Sequence, residues 1–252
     1  MTVSPTERRT VAGLPDPNQP LPVGDAKVAA VRTMFDTIAP RYDLVNRVMT
    51  FGMDRGWRRT TVASLSLVPG SVVVDLACGT GDLCRDAVRA GYRAVGVDLS
   101  LGMLVHARTP SPLIQGDALR LPFPDHSVAG VVSGFALRNF VELPPVFAEL
   151  ARVLQPGGRI ALLDAARPER ALLRAGHSVY FGHVVPLIGG LLSDKTAYRY
   201  LPRSMAYLPP GPTVLAQLAA AGFTQPERRL LSGGITQLYT ATAAAAVRKD
   251  NS

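Results

Sequence analysis

The chain has 252 residues, of which 47% are hydrophobic and 18% charged, with a formal net charge of +8. That balance excludes a disordered or fibrous protein, and the length suffices for a sizeable core, read as one α/β domain with elaborations. The positive charge is almost all arginine, since lysine stands only at Lys27, Lys195 and Lys249, and it favours anionic partners.

Residues 1–25 read as a disordered arm, because Pro5, Pro15, Pro17, Pro20 and Pro22 lie among polar residues without a period. An amphipathic helix is expected from Asp25, with Val28, Val31, Met34 and Phe35 at helical spacing. A Tyr-containing turn over Asp36–Asp43 leads to a second helical region through Trp57–Leu65. Pro69-Gly70 is a turn. The continuous β-branched run of 72-VVVDLA-77 predicts a buried strand. A helix over 82–91 should stop at Gly91, and a strand over 93–100 precedes a short helix over 101–108. Short strands follow over 113–118 and 128–136, then a helix over 142–154 and a strand over 159–165, entered through Pro156-Gly157-Gly158. Beyond residue 166 the pattern loosens until a helix over 213–223 and a last strand over 234–243, before a flexible tail over 244–252. Strands alternating with helices give a doubly wound, mostly parallel, Rossmann-like sheet.

Cys78 and Cys84 match neither a zinc pattern nor C-x-x-C and are read as free thiols in a reducing compartment. His106, His126, His177 and His183 form no H-x-x-x-H pair, so no metal is expected. No signal peptide is visible, and 183-HVVPLIGGLL-192 is too short and broken to span a bilayer. A cytoplasmic protein is expected.

The loop 77-ACGTGD-82, with Gly79, Thr80 and Gly81, follows the first strand, where doubly wound sheets bind ligands. Its glycines admit close backbone approach, and the next helix offers free N–H groups. A dinucleotide fingerprint fails, because Cys84 stands where the third glycine is required. Three acids refine the reading. Asp98, followed by Leu99, closes the second strand and can accept from both ribose hydroxyls. Asp117 closes the third and can accept from an adenine amino group, with the Ala118 N–H facing a ring nitrogen. Asp75 lies at the base of the loop, where an ammonium would sit. Three acids would repel a pyrophosphate but suit S-adenosylmethionine, a cation without phosphate. Each acid alone also reads as a turn former or helix cap.

VDLACGTGD, GVDLS, GDALRLPFPD and RVLQPGGR resemble the successive motifs of class I S-adenosylmethionine-dependent methyltransferases. More narrowly, 42-YDLVNRVMTFGMDRGW-57, 135-FALRNF-140 and 197-AYRYLPRSMAYLP-209 resemble the menaquinone/ubiquinone C-methyltransferase family, the likeness running from about Lys27 to Thr242. The resemblance implies a methyltransferase domain over 26–243, with a helical cover over 26–68 and an acceptor lid over 166–210. It implies C-methylation of a prenylated quinol, demethylmenaquinol being favoured over a benzoquinol. Arg138 is then the candidate for stabilising a phenolate, Asn139 for holding a quinol oxygen and Tyr42 for a hydrogen bond or proton relay. Asp43 reads equally as an acid partner or a helix cap, and His177 and His183 as structural.

The lid aromatics Tyr180, Phe181, Tyr198, Tyr200 and Tyr207 would wall a greasy acceptor. A long-tailed acceptor places the protein at the inner face of the cell membrane, with Trp57 beside Arg55, Arg58 and Arg59 facing anionic lipid or, equally, buried above solvated arginines. Self-association is compatible with the sequence. Val45, Thr50 and Asp54 stand where the family usually has Met, Ser and His, Gln155 where it has Lys, and Asp164-Ala165-Ala166 where it has Glu-x-Ser. The family's cofactor-side Ser aligns with Gly134, Ser133 being one step away. These departures keep open another small-molecule or polyketide methyltransferase, or a demethoxyubiquinol-type acceptor. The dispersed arginines argue against nucleic acid, and Arg138 with Asn139 against a non-enzymatic binding scaffold.

Overall fold

The computed structural model describes residues 22–168, Tyr180 and 203–244. Of the expected segments, residues 1–21 of the arm, most of the lid and nearly all of the tail lie outside these described residues. Seven strands form one sheet: β1 (Val72–Leu76), β2 (Arg93–Asp98), β3 (Leu113–Gln115), β4 (Val128–Gly134), β5 (Leu154–Ala165), β6 (Phe223–Leu231) and β7 (Thr236–Ala243). Their order is β3-β2-β1-β4-β5-β7-β6. The β1–β2, β1–β4, β2–β3 and β4–β5 pairs are parallel, whereas β7 runs antiparallel to β5 and to β6. The chain winds outward from β1 to β3 and returns to β4 on the other side of β1, which makes the β1/β4 carboxyl edge the switch point.

Successive strand residues face opposite ways, so the β-branched run of β1 feeds two cores. Val74 and Leu76 join Val131, Phe147 and Leu150 under α6 (Leu143–Val153) and α7 (Gly211–Ala220). Val73 joins Val132, Leu83, Cys84 and Ala87 under α3 (Asp54–Ala63) and α4 (Asp82–Arg89). A third cluster of Met34, Ile38, Ala39, Val45 and Met103 packs α1 (Gly24–Ile38) and α2 (Tyr42–Met49) onto α5 (Leu101–Val105).

Several elements differ from the sequence reading. Helix occupies both ends of the turn expected over Asp36–Asp43, since α1 runs to Ile38 and α2 begins at Tyr42, and β3 stops at Gln115, which leaves Asp117 beyond the strand in an isolated bridge with Arg120. β5 is assigned from Leu154, because Leu154 already pairs with Val128 before a register shift at Val128/Gly130. β6 was not expected at all: Pro226 and the charged Glu227, Arg228 and Arg229 hide it, and the sheet takes the proline at an irregularity between Thr224 and Glu227 on its outer edge.

The helical cover is clamped over the carboxyl edge by polar contacts as well as packing. Asp36 Oδ1 accepts from the Ser100 hydroxyl and from the Gly102 N–H at 2.9 Å. Asp43 accepts from the Thr80 hydroxyl. Buried Lys27 donates to the Phe140 carbonyl. Gly102 has to be glycine for this approach, since a Cβ there would lie 2.8 Å from the Asp36 Cα. Gly102→Ala should therefore lift α1 and cost about 1–3 kcal/mol in chemical denaturation, by overpacking against backbone that cannot rotate away. The same substitution at Gly70, where a Cβ meets nothing but φ is +84°, provides the comparison for pure backbone strain.

Candidate active site

After β1 the chain reverses into α4 through three left-handed residues, Ala77 (φ 54°), Gly79 (φ 53°) and Gly81 (φ 81°). A non-glycine residue in that region is strained, and such strain gathers at functional loops. The loop is held from the next strand: Asp98 accepts from the Gly79 N–H at 2.7 Å through Oδ2 and from the Ser100 N–H at 2.8 Å through Oδ1. Burial raises the Asp98 pKa above the ordinary carboxylate range. Asp117 accepts from the Leu119 N–H at 2.9 Å.

Two cavities open along this edge. The smaller, of about 260 Å³, is lined by Asp98, Leu99, Asp117 and Ala118 and roofed by Val28 and Val31 of α1. No arginine or lysine lines it among the described residues. The larger, of about 510 Å³, is lined by Asp75, Thr80, Arg138 and a mostly apolar wall that includes Met49, Phe51, Trp57, Tyr180 and Ile235. Tyr42, Gly79, Gly134 and Phe135 line both, so the cavities meet beneath Tyr42.

The larger cavity carries three titratable groups of note. Asp75 is 1% exposed. Its Oδ2 accepts from the Cys84 N–H at 2.9 Å, while Oδ1 has no hydrogen-bond partner. Burial pushes its pKa up to about 7. Arg138 is buried and ion-paired through Nη1 to Asp164, and its Nε donates to the Ser204 hydroxyl at 3.2 Å. Asp164, itself fully buried, also accepts from the Arg138 backbone N–H at 3.2 Å and from the Ala165 N–H at 2.7 Å. Tyr42 has its pKa raised, by burial foremost and by Asp43 and Asp98, against the opposing pull of Asn46 and Arg138. It is therefore a hydrogen-bond donor near neutral pH.

A family model described as the ubiE/COQ5 methyltransferase family matches residues 23–243. The chain belongs to that family. A demethylmenaquinone methyltransferase from Deinococcus radiodurans is 42% identical, the match covering 88% of this chain and 96% of the relative. A ubiquinone/menaquinone biosynthesis C-methyltransferase UbiE from Syntrophotalea carbinolica is 40% identical over 83% of this chain and 92% of its own. Among solved structures, a chain of the complex between the Haloferax volcanii Trm112 activator and a methyltransferase superposes with a TM-score of 0.60 at 20% identity, covering 83% of this chain and 97% of that one. A methyltransferase from Thermotoga maritima gives 0.59 at 16%, with coverages of 84% and 98%. At these identities the structural likeness shows the methyltransferase fold.

The donor of this family of enzymes, S-adenosylmethionine, fits the residues present. The smaller cavity offers carboxylates to a nucleoside and no cation to a phosphate, and the orphaned Asp75 Oδ1 lies where a positively charged group would satisfy it. Several expected site residues take other places. Asn139 lines the smaller cavity and its amide donates to the Phe135 carbonyl at 3.3 Å, so it braces the turn after β4 and does not line the larger cavity with Arg138. Ser133 is buried between strands, donating to the Leu76 carbonyl at 2.7 Å, and lines neither cavity, whereas Gly134 lines both. Gly81 turns the loop without lining a cavity; a Cβ on it would meet Thr109 Cγ2 at 2.6 Å. Trp57 is buried, with Nε1 donating to the Ser232 hydroxyl at 2.8 Å, and walls the cavity instead of reaching outward. Phe181, Tyr198, Tyr200, His177 and His183 lie outside the described residues.

Asp164 was the residue that sequence reasoning passed over, treated as a departure when it is the partner of Arg138. Its signal was an acid at the end of a buried strand, the same signal that singled out Asp98. Thr50 and Asp54, two other departures, are likewise bonded to each other, hydroxyl to carboxylate at 2.8 Å.

The protonation of Asp75 yields a test. The folded protein holds this proton more tightly than the unfolded chain, so ligand-free stability should fall as pH rises from the ordinary carboxylate range to about 7. A cationic ligand favours the ionised form, so S-adenosylmethionine affinity should rise as pH rises through about 7, with proton release in calorimetry. Asp75→Asn should remove most of both slopes. Asp98, shifted in the same direction, contributes to what remains.

Proposed function

We propose that the protein methylates a ring carbon of a prenylated quinol, demethylmenaquinol, using S-adenosylmethionine. The observation that carries this reading is the large, mostly apolar cavity bounded by Arg138 and meeting the nucleoside-sized cavity at Tyr42. It suits a flat, greasy acceptor with one oxygen to be ionised. The names of the relatives support the same acceptor class.

Asp98 and Asp117 would hold the nucleoside of the donor, Gly79 would admit it closely, and Asp75 would receive its ammonium. When bound, the donor supplies an electrophilic methyl on a positively charged sulfur. The acceptor carbon becomes nucleophilic only after the neighbouring phenol, of ordinary pKa about 10, loses its proton. Arg138 stabilises that phenolate. Asp164 engages Nη1 and Ser204 accepts from Nε, which fixes the plane of the guanidinium and leaves Nη2 without a partner among the described residues. A guanidinium so fixed reorganises little as charge develops. Tyr42, held protonated by burial, donates a hydrogen bond at the junction. The apolar wall excludes water, strengthening these electrostatic contacts. After attack, loss of the ring proton restores aromaticity.

An isoprenoid tail keeps the acceptor in lipid, so the protein is read as cytoplasmic and peripheral to the inner face of the membrane. No helix of the described residues is long and apolar enough to cross a membrane.

The reading is tested by methyl transfer to short-tailed demethylmenaquinone with and without dithionite. Only the reduced acceptor should react, because the quinone has no phenolic proton to lose. Arg138→Lys keeps the charge but not the planar fork, and turnover should fall about a hundredfold with donor affinity unchanged. Equal reaction of the oxidised acceptor, or unchanged turnover in Arg138→Lys, would overturn the phenolate route. Arg138→Ala is less informative: it strands a buried carboxylate, at about 3–5 kcal/mol of stability.

A further inference from the structure

The outer side of the helical cover has a composition that packing does not explain. Leu44 and Val48 on α2 are one turn apart and exposed, and Phe51 continues their line beyond the helix end with 74% of its surface exposed. Phe51 also has φ 51°, a strained conformation for an aromatic residue. The chain thus holds a largely exposed phenyl ring, its centroid 5.7 Å from that of Tyr180, on a backbone that disfavours it. Met53, also exposed, lines the larger cavity together with Phe51.

Immediately flanking this line is a surface cleft of about 410 Å³ lined by six arginines, Arg47, Arg55, Arg58, Arg59, Arg85 and Arg89, against two acids, Asp82 and Asp86. Arg58 is committed to Asp54, Asp82 and Asp86, Arg85 to Asp82, and Arg89 to Asp86. Arg47, Arg55 and Arg59 make no ion pair with the described residues and are exposed. Three guanidinium groups without an ion pair among the described residues therefore stand beside three exposed apolar side chains, of which Phe51 also lines the larger cavity.

We infer that the α2–α3 corner docks on an anionic lipid bilayer, with Leu44, Val48 and Phe51 entering the interface and Arg47, Arg55 and Arg59 pairing with lipid phosphates. This rests on the reading of the acceptor as a long-tailed quinol, which it deepens by naming the surface through which the acceptor arrives. A soluble anion would use the arginines but leave the apolar line unexplained. Nucleic acid would use the arginines and could stack a base on Phe51, but it would leave the aliphatic Leu44 and Val48 unexplained. A bilayer uses both chemistries at once, because its interface presents phosphates above and acyl chains below.

The test is co-sedimentation of the full chain with vesicles of phosphatidylcholine alone and of phosphatidylcholine mixed with phosphatidylglycerol, with single-stranded RNA as a competing polyanion. Wild type should bind the anionic vesicles and hardly the neutral ones, and salt should weaken the binding. Each arginine near an anionic surface contributes about fivefold in partition, so the triple variant Arg47→Gln/Arg55→Gln/Arg59→Gln should lose about a hundredfold. Leu44→Ser/Val48→Ser should weaken binding at high salt as well as low, the mark of an apolar contribution. Methyl transfer to a water-soluble short-tailed quinol should be unchanged in both variants, while transfer to a long-tailed quinol embedded in anionic vesicles should drop. If wild type methylates no quinol, the proposed acceptor is wrong, yet the sedimentation still reads the docking surface. Equal partition onto neutral and anionic vesicles, wild-type partition by the triple variant, or binding of RNA but not vesicles through the same arginines overturns the inference.

Discussion

A guanidinium and a carboxylate, both almost sealed from water, meet across the ends of two parallel strands: Arg138 after β4 and Asp164 within β5. Neither charge could stay in that interior alone, since an unpaired buried ion costs several kcal/mol, about 3–5 when one partner is removed. The pair therefore sets the geometry around it. Asp164 also receives the Arg138 backbone N–H, which fixes the short turn over Leu137–Asn139, and Ser204 is drawn onto the outer edge of the guanidinium. The Arg138 cation at the larger cavity is thus held in place because its counter-ion belongs to the sheet.

The two cavities differ in chemistry although they share walls. Among the described residues the smaller presents acids and no arginine or lysine, and the larger sets Arg58 and Arg138 with Asp54, Asp75 and Asp82 in a mostly apolar enclosure. They touch where the chain is most contorted, since both Ala77 and Phe135 are left-handed immediately beyond β1 and β4. Parallel neighbours ending at one level force this arrangement: each chain must turn sharply away, and the gap between the diverging turns becomes the site. The cover made by α1 and α2 closes the gap, its burial of Tyr42 and its clamps through Asp36, Asp43 and Lys27 acting from the same side.

The central strands were legible in the sequence because buried parallel strands are continuous β-branched runs, and the acids at their ends stand out against such runs. Asp98 ends such a run and Asp75 lies one residue before the end of another, whereas Asp117 follows the short β3 by two residues. Direction was not readable. Asn139 and Arg138 are adjacent in sequence, yet the short turn they share sends one side chain to each cavity. Trp57 and its arginine neighbours share a helix, and only packing shows the indole turned inward to Ser232. Asp164 was legible as an acid but not as a partner, because pairing depends on which strands become neighbours. β6 escaped notice because its exposed edge carries the proline and charges that usually mark a loop.

Those same features of β6 decide how the sheet ends. An open edge exposes a row of unpaired N–H and C=O groups, a template onto which another chain could add a strand. On this side Pro226 removes a donor at the irregularity, and Glu227, Arg228 and Arg229 follow it along the strand. On the far side β3 has only three residues, Leu113–Gln115, too few to seed a stable pairing. An apolar-rich chain with a hydrophobic cavity and exposed apolar side chains on α2 runs a particular risk of aggregation while it folds. Blunting both margins of its sheet confines sticky contact to the face where it is useful.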